Sequence, residues 1–265
     1  MILHGSERVF MSAENSLTNQ ELERYARHLN IPELGLSGQL ALKNASVLII
    51  GAGGLGSASS QYLAAAGVGR LGILDSDSVE ISNLQRQIIH GMATLGIPKV
   101  ESARLRINDL NPHVQVEPIQ ERLTSETDSS VFRNYQLVID ASDNFETRYL
   151  VNEICVRYAI PFIYGAVFQF YGQLSIFISG KGPCFRCVFR ELPSDEVIRM
   201  NQGVGVCSPL PGIIGTLQAL EAIKLITHTG EPSIGHLQLF DGLAMHMQAI
   251  SVNRDPACPV CGKLS

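Results

Sequence analysis

A glycine-rich segment with the sequence GAGGLG is the first place where residue types and spacing suggest chemistry. Its glycines, Gly51, Gly53, Gly54 and Gly56, let the backbone turn sharply and approach a phosphate, which the N-terminus of a following helix attracts. Asp75 closes the next apolar run, where a carboxylate can accept hydrogen bonds from a ribose. By itself this combination predicts a dinucleotide site and suggests a dehydrogenase. A glycine-rich turn that binds nothing is the alternative.

Four of the six cysteines form two Cys-x-x-Cys pairs, Cys184 with Cys187 and Cys258 with Cys261. Two thiolate pairs can make a closed tetrahedral zinc site, and a closed site is structural. Because 70 residues (188–257) separate the pairs, the metal would clip the C-terminal tail onto the body of the protein, with both pairs in loop-like sequence. Reduced, unpaired cysteines are the alternative, and disulfides are disfavoured in a cytosolic protein.

Apolar runs rich in β-branched residues alternate with helical patterns up to residue 165, which indicates a doubly wound, mostly parallel sheet. The expected strands are Ala45–Ile50, Arg70–Asp75, Val114–Pro118, Leu137–Asp140 and Pro161–Gly165. The expected helices are Ser57–Ala66, Pro98–Asn108 and Arg148–Tyr158, with an earlier helical pattern that begins at Asn19.

The pattern changes past residue 165. Gln173–Ile178 largely alternates polar and apolar residues, as a half-exposed antiparallel strand does, and Gly215–Ile226 is the clearest helix. We therefore expect a flexible leader over 1–18, with the start at Met1 or Met11 left open. One domain should follow over 19–265, with a nucleotide-binding core (19–165) and an antiparallel, zinc-bearing part (166–265).

Composition excludes several classes of function. The 265 residues are 45% hydrophobic and carry a net charge of −5, and without a Lys/Arg run there is no electrostatic footprint for nucleic acid. The two long uncharged stretches, Tyr158–Gly180 and Asn201–Leu220, are interrupted by proline and glycine and do not read as membrane spans. Glu7 and Arg8 lie where a signal peptide needs apolar residues. We expect a soluble cytoplasmic protein.

The segment DSDSVEISNLQRQ, which begins at Asp75, is one that a dehydrogenase would not need. Together with GAGGLG, Lys99 at the end of GIPK, SDN at Ser142–Asn144, GTLQALEAIKL and CPVCG, it closely resembles the ThiF/MoeB/HesA family of ubiquitin-activating-enzyme-like adenylyltransferases. The resemblance covers the chain from about residue 20. It implies a Rossmann-like fold and an enzyme that uses ATP and Mg²⁺. Such enzymes convert the C-terminal glycine carboxylate of a small ubiquitin-like protein into an acyl-adenylate.

The resemblance also implies the residues of the ATP site. A carboxylate that attacks the α-phosphate brings two anions together, so cations such as Arg86 and Lys99 must stabilise the developing charge. Asp143, at the end of a predicted strand, is well placed to hold Mg²⁺. Taken singly, these residues could be solvated loop charges or turn formers. The family equivalents that line the ATP site are Gly54, Asp75, Ser82, Asn83, Leu84, Gln85, Arg86, Lys99, Asp143 and Asn144.

Arg27, in the sequence RYARH, matches a family motif on an N-terminal helix. There the second arginine crosses a dimer interface to the neighbour's ATP, so the resemblance implies a catalytic role for Arg27 and a homodimer. A surface arginine on an amphipathic helix is the alternative.

Two cysteines, Cys155 and Cys207, lie outside the Cys-x-x-Cys pairs. Cys155 lies on an apolar helix face and is expected to be buried packing. Many family members carry a cysteine eight residues before the proline that matches Pro209, whereas this chain has Asn201 there and Cys207 two residues before the proline. The departure predicts activation to the adenylate without a covalent step on the enzyme. Core packing is the expected role of Cys207, and a free thiol near the site that substitutes for the missing cysteine is the alternative.

The carrier would end in Gly-Gly and would serve molybdopterin-type or thiamine-type sulfur transfer, with another sulfur-transfer or peptide-modification pathway as the alternative. A nicotinamide-dependent dehydrogenase and a non-catalytic scaffold of the same fold are the alternatives. The intact set of polar residues in the nucleotide segment argues against the scaffold.

Overall fold

An eight-stranded mixed sheet forms the centre of the protein. A computed structural model describes residues 16–194, 196 and 203–262, so most of the expected leader and Asn201 lie outside the described residues. The strands are β1 Ser46–Ile50, β2 Arg70–Leu74, β3 Gln115–Ile119, β4 Leu137–Asp140, β5 Phe162–Phe168, β6 Tyr171–Phe177, β7 His236–Asp241 and β8 His246–Ser251. Their order is β3-β2-β1-β4-β5-β6-β7-β8. The first five pair in parallel and the last three antiparallel, which confirms the expected fold class.

Helices cover both faces of the sheet. They are α1 Asn19–Arg24, α2 Ala26–Leu29, α3 Gly35–Lys43, α4 Gly54–Ala66, α5 Lys99–Leu110, α6 Phe145–Tyr158, α7 Phe185–Val188 and α8 Pro209–Thr227. In β1, Val47 and Ile49 join the core formed with α3, α4, α5 and α8. Leu48 and Ile50 point the other way, into the core formed with α6 and α7. This alternation explains why β1 reads as an uninterrupted apolar run.

Several helices and strands begin or end at residues other than those predicted. α8 begins at Pro209, six residues before the predicted start at Gly215, because proline in a first helical turn gives up no hydrogen bond. The helical pattern from Asn19 divides into α1 and α2 at Tyr25, whose φ and ψ of −97° and 14° are not helical. β5 continues to Phe168, so residue 165 lies within a strand. The sequence reading missed α3, β7 and β8.

α8 is a core helix. By length and composition it could cross a membrane, but Leu210, Ile214, Ala219 and Ala222 are buried against α4 and the sheet. Its apolar character therefore serves packing within the domain.

Candidate functional site

A cleft of about 940 Å³ opens at the carboxyl ends of the central parallel strands. β2 and β4 lie on opposite sides of β1, so the segments that follow these strands diverge and leave a crevice between them. The end of β5 and residues 203–206 form the far wall. The volume is near the upper end of the range of about 300–1,000 Å³ for small-molecule sites.

The glycine segment forms the floor of this cleft. Gly51 has φ +99°, and a Cβ there would lie 2.8 Å from the carbonyl oxygen of Ala141. A Cβ at Gly56 would collide with the Gly51 carbonyl, so Gly56 permits the tight turn rather than lining the cleft. α4 begins at Gly54, earlier than the predicted start at Ser57. The unpaired N–H groups of its first turn therefore lie at the cleft, where they favour a phosphate.

Asp75 fastens the glycine segment to the end of β2. Its Oδ2 accepts a hydrogen bond from the N–H of Ala52 at 2.8 Å, and its Oδ1 accepts one from the N–H of Asp77 at 2.8 Å. A carboxylate has about four acceptor positions, so Asp75 retains capacity for the hydroxyl groups of a ribose.

His90 also contacts the glycine segment, and no motif in the sequence predicted this role. Its Nε2 lies 2.9 Å from the Ala52 carbonyl oxygen, and its Nδ1 lies 2.9 Å from the Ser102 hydroxyl. Burial lowers the pKa of the imidazole, and the positive charge of Lys99 acts in the same direction. The ring is therefore neutral near pH 7, and Nε2–H donates to the carbonyl.

The two cations expected at the site, Arg86 and Lys99, both line the cleft. Lys99, the first residue of α5, places Nζ 2.8 Å from Asp77 Oδ2; the lysine side chain is 8% exposed and the aspartate 65%. Arg86 is half-buried, and its Nη1 donates to the Ser82 carbonyl at 3.1 Å. The carboxylate of Asp77 thus keeps the ammonium at the cleft wall.

Asp143 and Asn144 lie where β4 leads into α6. Asn144 caps α6, since its Oδ1 accepts a hydrogen bond from the N–H of Thr147 at 2.9 Å. Asp143 is exposed in the cleft, and the Asn144 amide lies 3.5 Å from its Oδ1. The Asp143 carboxylate is therefore accessible to a ligand.

Most of the residues expected at a nucleotide site line this one cleft. They are Gly51, Gly53, Gly54, Asp75, Gln85, Arg86, Lys99, Asp143 and Asn144. In the described part of the chain, Gly56, Ser82, Asn83, Leu84 and Arg27 are not among the lining residues. Six further residues that line the cleft were not predicted as site residues: Asp77, Glu121, Arg122, Glu146, Arg148 and Phe168.

Asn83 and Arg27 are two of the expected residues that do not line this cleft. The buried Asn83 closes a 3₁₀ turn, where its Oδ1 accepts from the N–H of Glu80 at 3.1 Å. This contact shapes the turn that carries Arg86. Arg27 is exposed on α2, so any contact it makes with a nucleotide would require a second copy of the chain.

The four Cys-x-x-Cys thiols form a buried cluster with all sulfurs within 4.8 Å of one another. Three Sγ–Sγ distances are 3.9, 3.7 and 3.4 Å. They approximate the edge of about 3.8 Å in a tetrahedron with Zn–S bonds of about 2.3 Å, and they exceed the disulfide length of about 2.05 Å. The prediction that both cysteine pairs lie in loops is wrong for the first pair, because Cys187 lies in the short helix α7 and Cys184 immediately precedes that helix.

The surroundings of the cluster suit a metal. Burial raises the pKa of the Cys184 and Cys261 thiols, so a bound cation would be needed to keep them deprotonated near neutral pH. The N–H of Asp255 donates to Cys187 Sγ at 3.4 Å, as a partner that orients a metal ligand does.

The other two cysteines differ in surroundings. Cys155 is fully buried, which confirms its expected place in the core. Cys207 is half-buried next to Val206, a residue of the cleft wall, and its N–H donates to the Gln169 carbonyl at 3.0 Å.

Known proteins resemble the chain over nearly its whole length. The sequence profile of the ThiF family matches residues 25–260. A sulfur carrier protein adenylyltransferase from Thermus thermophilus is 46% identical over 250 residues, which cover 92% of each chain. The SAMP-activating enzyme E1 from Haloferax volcanii is 43% identical over 248 residues, which cover 94% of this chain and 92% of the enzyme.

A longer relative and a solved structure extend the comparison. The adenylyltransferase and sulfurtransferase MOCS3 from Sus scrofa is 45% identical over 249 residues, which cover 94% of this chain and 55% of MOCS3. A crystal structure of E. coli MccB with MccA-N7isoASN superposes with a TM-score of 0.79 at 25% identity, covering 90% of this chain and 75% of MccB.

Proposed function

Because the chain belongs to the ThiF family, we propose that it activates the C-terminal carboxylate of a small ubiquitin-like carrier protein. The reaction uses ATP, forms an acyl-adenylate and releases pyrophosphate. The chain is thus an adenylyltransferase, as its relatives from Thermus and Haloferax indicate. The observation that carries the proposal is the convergence of Arg86, Lys99 and Asp143 on one cleft above the start of α4.

Within this cleft each group has a distinct task. The carrier carboxylate and the triphosphate repel each other, so Arg86 and Lys99 must offset negative charge on the attacked phosphorus and the departing pyrophosphate. The N–H groups at the start of α4 hold phosphate oxygens, and Asp75 holds the ribose. These contacts keep the α-phosphate in place while the carboxylate approaches from the opposite side.

Asp143 is the proposed protein ligand for Mg²⁺. One exposed carboxylate together with substrate phosphates suits a cation that keeps much of its water. Bound Mg²⁺ would offset the charge of the triphosphate. Asp143, just before α6, would hold the cation at that side of the cleft.

The carrier tail is proposed to enter between Phe168, at the end of β5, and Val204–Val206. This wall is uncharged and lies opposite the Lys99 side of the cleft, so it suits a slender tail ending in Gly-Gly. We propose a carrier of the molybdopterin or thiamine type. Asn201 stands where many family members have a cysteine, so the sulfur would come from another molecule.

The proposal also includes a structural zinc ion and a cytoplasmic location. The spacing and burial of the Cys184 cluster support zinc. A cluster of reduced thiols at metal-site distances is typical of proteins from reducing compartments.

ATP–pyrophosphate exchange tests the proposed function. We expect exchange that depends on adding one member of a panel of small carriers ending in Gly-Gly, and the active carrier identifies the pathway. Removing the two C-terminal glycines of that carrier is the matched control and should abolish exchange. A protein that binds NAD and not ATP would contradict the proposal.

A homodimer is proposed because three neighbouring helices expose large apolar side chains. Leu36 on α3, Tyr62 on α4 and Leu220 on α8 are 52%, 56% and 52% exposed, and α8 packs against both α3 and α4. A second copy would cover this surface. It would also offer a nucleotide site to the exposed Arg27.

Mixing two inactive variants tests a role for Arg27 across the dimer interface. We expect Arg27→Ala and Arg86→Ala to be inactive alone, whereas mixed dimers regain one working site, with up to about half the wild-type exchange per mixed dimer. The measurement is exchange after co-refolding or co-expression. The neighbouring Arg24→Ala is the control and should remain active without a partner variant. No recovery in proven mixed dimers would show that Arg27 does not act across the interface.

A further inference from the structure

Ser142, the residue before Asp143, is held by side chains on both sides. Asp140 Oδ1 accepts hydrogen bonds from the Ser142 N–H at 3.1 Å and from its hydroxyl at 2.6 Å. On the other side, Arg148 Nη2 donates to the Ser142 carbonyl at 3.0 Å. The peptide groups that lead into Asp143 are therefore fixed before any ligand binds.

Arg148 is itself firmly placed. It is 7% exposed, and its guanidinium lies 5.2 Å from the centre of the Phe145 ring and 5.5 Å from that of Tyr164. Its Nε has no hydrogen-bond partner among the described residues. The position of this guanidinium is therefore set by the Ser142 carbonyl, the two rings and the negative charge of the nearby Asp140.

Asp140 is equally well anchored. It is completely buried at the end of β4, and Gln218 Nε2 on α8 donates to its backbone carbonyl at 2.8 Å. Burial raises the pKa of its carboxyl, while the charge of Arg148 and the bonds from Ser142 oppose that rise. The contacts that Asp140 and Arg148 make with Ser142 therefore connect the cleft to α6 on one face of the sheet and, through Gln218, to α8 on the other.

The side chain of Asp143 makes few contacts with the described residues around it. Its side chain is exposed, and the closest polar contact given by the structure is the 3.5 Å approach of the Asn144 amide. The backbone at Ser142 consequently sets the position of the Asp143 Cα and limits the region that the carboxylate can reach through its rotamers. Any group that fixes that backbone keeps this region within the cleft.

We propose that Arg148 is a positioning residue that holds Asp143 in place to bind the nucleotide-associated divalent cation. The inference rests on the proposed function, since it assigns Asp143 to that cation. Arg148 acts through the Ser142 carbonyl and does not touch the cation. Residues that orient metal ligands typically change metal affinity about 10–100-fold when replaced.

Binding of Mn²⁺ tests the proposal without relying on catalysis. Free Mn²⁺ is followed by electron paramagnetic resonance in the presence of a non-hydrolysable ATP analogue. For Arg148→Met we expect the Kd of Mn²⁺ to rise about tenfold. The Mg²⁺ concentration for half-maximal exchange should rise in parallel. Arg133→Met, which removes another arginine stacked on a tyrosine but outside the cleft, should change neither value.

A double-variant cycle separates positioning from general damage. If Arg148 acts through Asp143, Arg148→Met should add little to the weakened Mn²⁺ binding of Asp143→Asn, because coupled residues are not additive. Additive effects, or an unchanged Kd in folded Arg148→Met, would overturn the proposal. If Arg148→Met does not fold, Arg148→Lys decides the question, since it keeps the charge but loses the planar fork. Its Kd should then be raised.

The wild-type protein distinguishes this inference from the proposed function. Exchange by the wild type together with a normal Kd in the folded variant rejects only the role of Arg148. If the wild type shows neither exchange nor analogue-dependent Mn²⁺ binding, the proposed function is rejected, and the role of Arg148 is rejected with it.

Discussion

Arg86→Ala is expected to reduce carrier-dependent ATP–pyrophosphate exchange by about 10²–10³-fold, the usual effect of removing one group that stabilises transition-state charge. Arg86 lines the cleft, and the hydrogen bond given for its side chain is the one to the Ser82 carbonyl. The guanidinium can therefore donate to a phosphate oxygen in place of the Ser82 carbonyl. Because negative charge grows as pyrophosphate departs, the variant should lose rate more than ATP affinity.

The matched control is Arg106→Ala, which removes an exposed arginine of α5 that pairs with Asp109 and does not line the cleft. This control and Arg86→Ala should both melt close to the wild-type temperature, since surface substitutions change stability by about 0.5 kcal/mol or less. Arg86→Lys should fall between wild type and alanine, because an ammonium lacks the planar fork. Near-normal exchange by folded Arg86→Ala would reject its catalytic assignment.

Cys258→Ser is expected to remove bound zinc and to destabilise the whole protein. The cluster joins α7 to the C-terminal segment, so losing one of four ligands releases a connection between distant parts of the chain. Structural zinc contributes its binding energy to folding. At about 2–4 °C per kcal/mol for domains of 150–250 residues, we expect the melting temperature to fall by about 10 °C or more.

Cys207→Ser makes the same substitution outside the cluster and is the matched control. It should retain one equivalent of zinc and the wild-type melting temperature. Metal content by elemental analysis and thermal unfolding are measured on the same preparations. Wild-type protein with well under one equivalent of zinc, or a Cys258→Ser variant as stable as wild type, would contradict a structural zinc site.

The sheet could be predicted from the sequence because its signals are local. β1, β2 and β4 are apolar runs that end in glycine or aspartate, and all three lie within a residue or so of their predicted bounds. Parallel strands then bring their carboxyl ends to one edge. For this reason Gly51, Asp75 and Asp143 could be assigned together to one site, whereas Lys99, the first residue of α5, was assigned to it by the family resemblance.

The supporting contacts could not be predicted in this way. His90 and Arg148 act on backbone carbonyls at Ala52 and Ser142, and nothing in the local sequence marks a carbonyl as a partner. The start of α8 was missed for a different reason. Pro209 reads as a helix breaker until the helix is seen to begin there.

The packing of α8 on α4 has a consequence for the order in which the protein is made. The ribosome delivers the chain from its N-terminus, so the glycine segment and most of the parallel sheet emerge well before residue 209. Until α8 follows, the faces of α4 and β5 that it covers remain in water. The nucleotide pocket therefore becomes stable only after residue 227 has been made, and the cysteine cluster, which needs Cys258 and Cys261, forms later still.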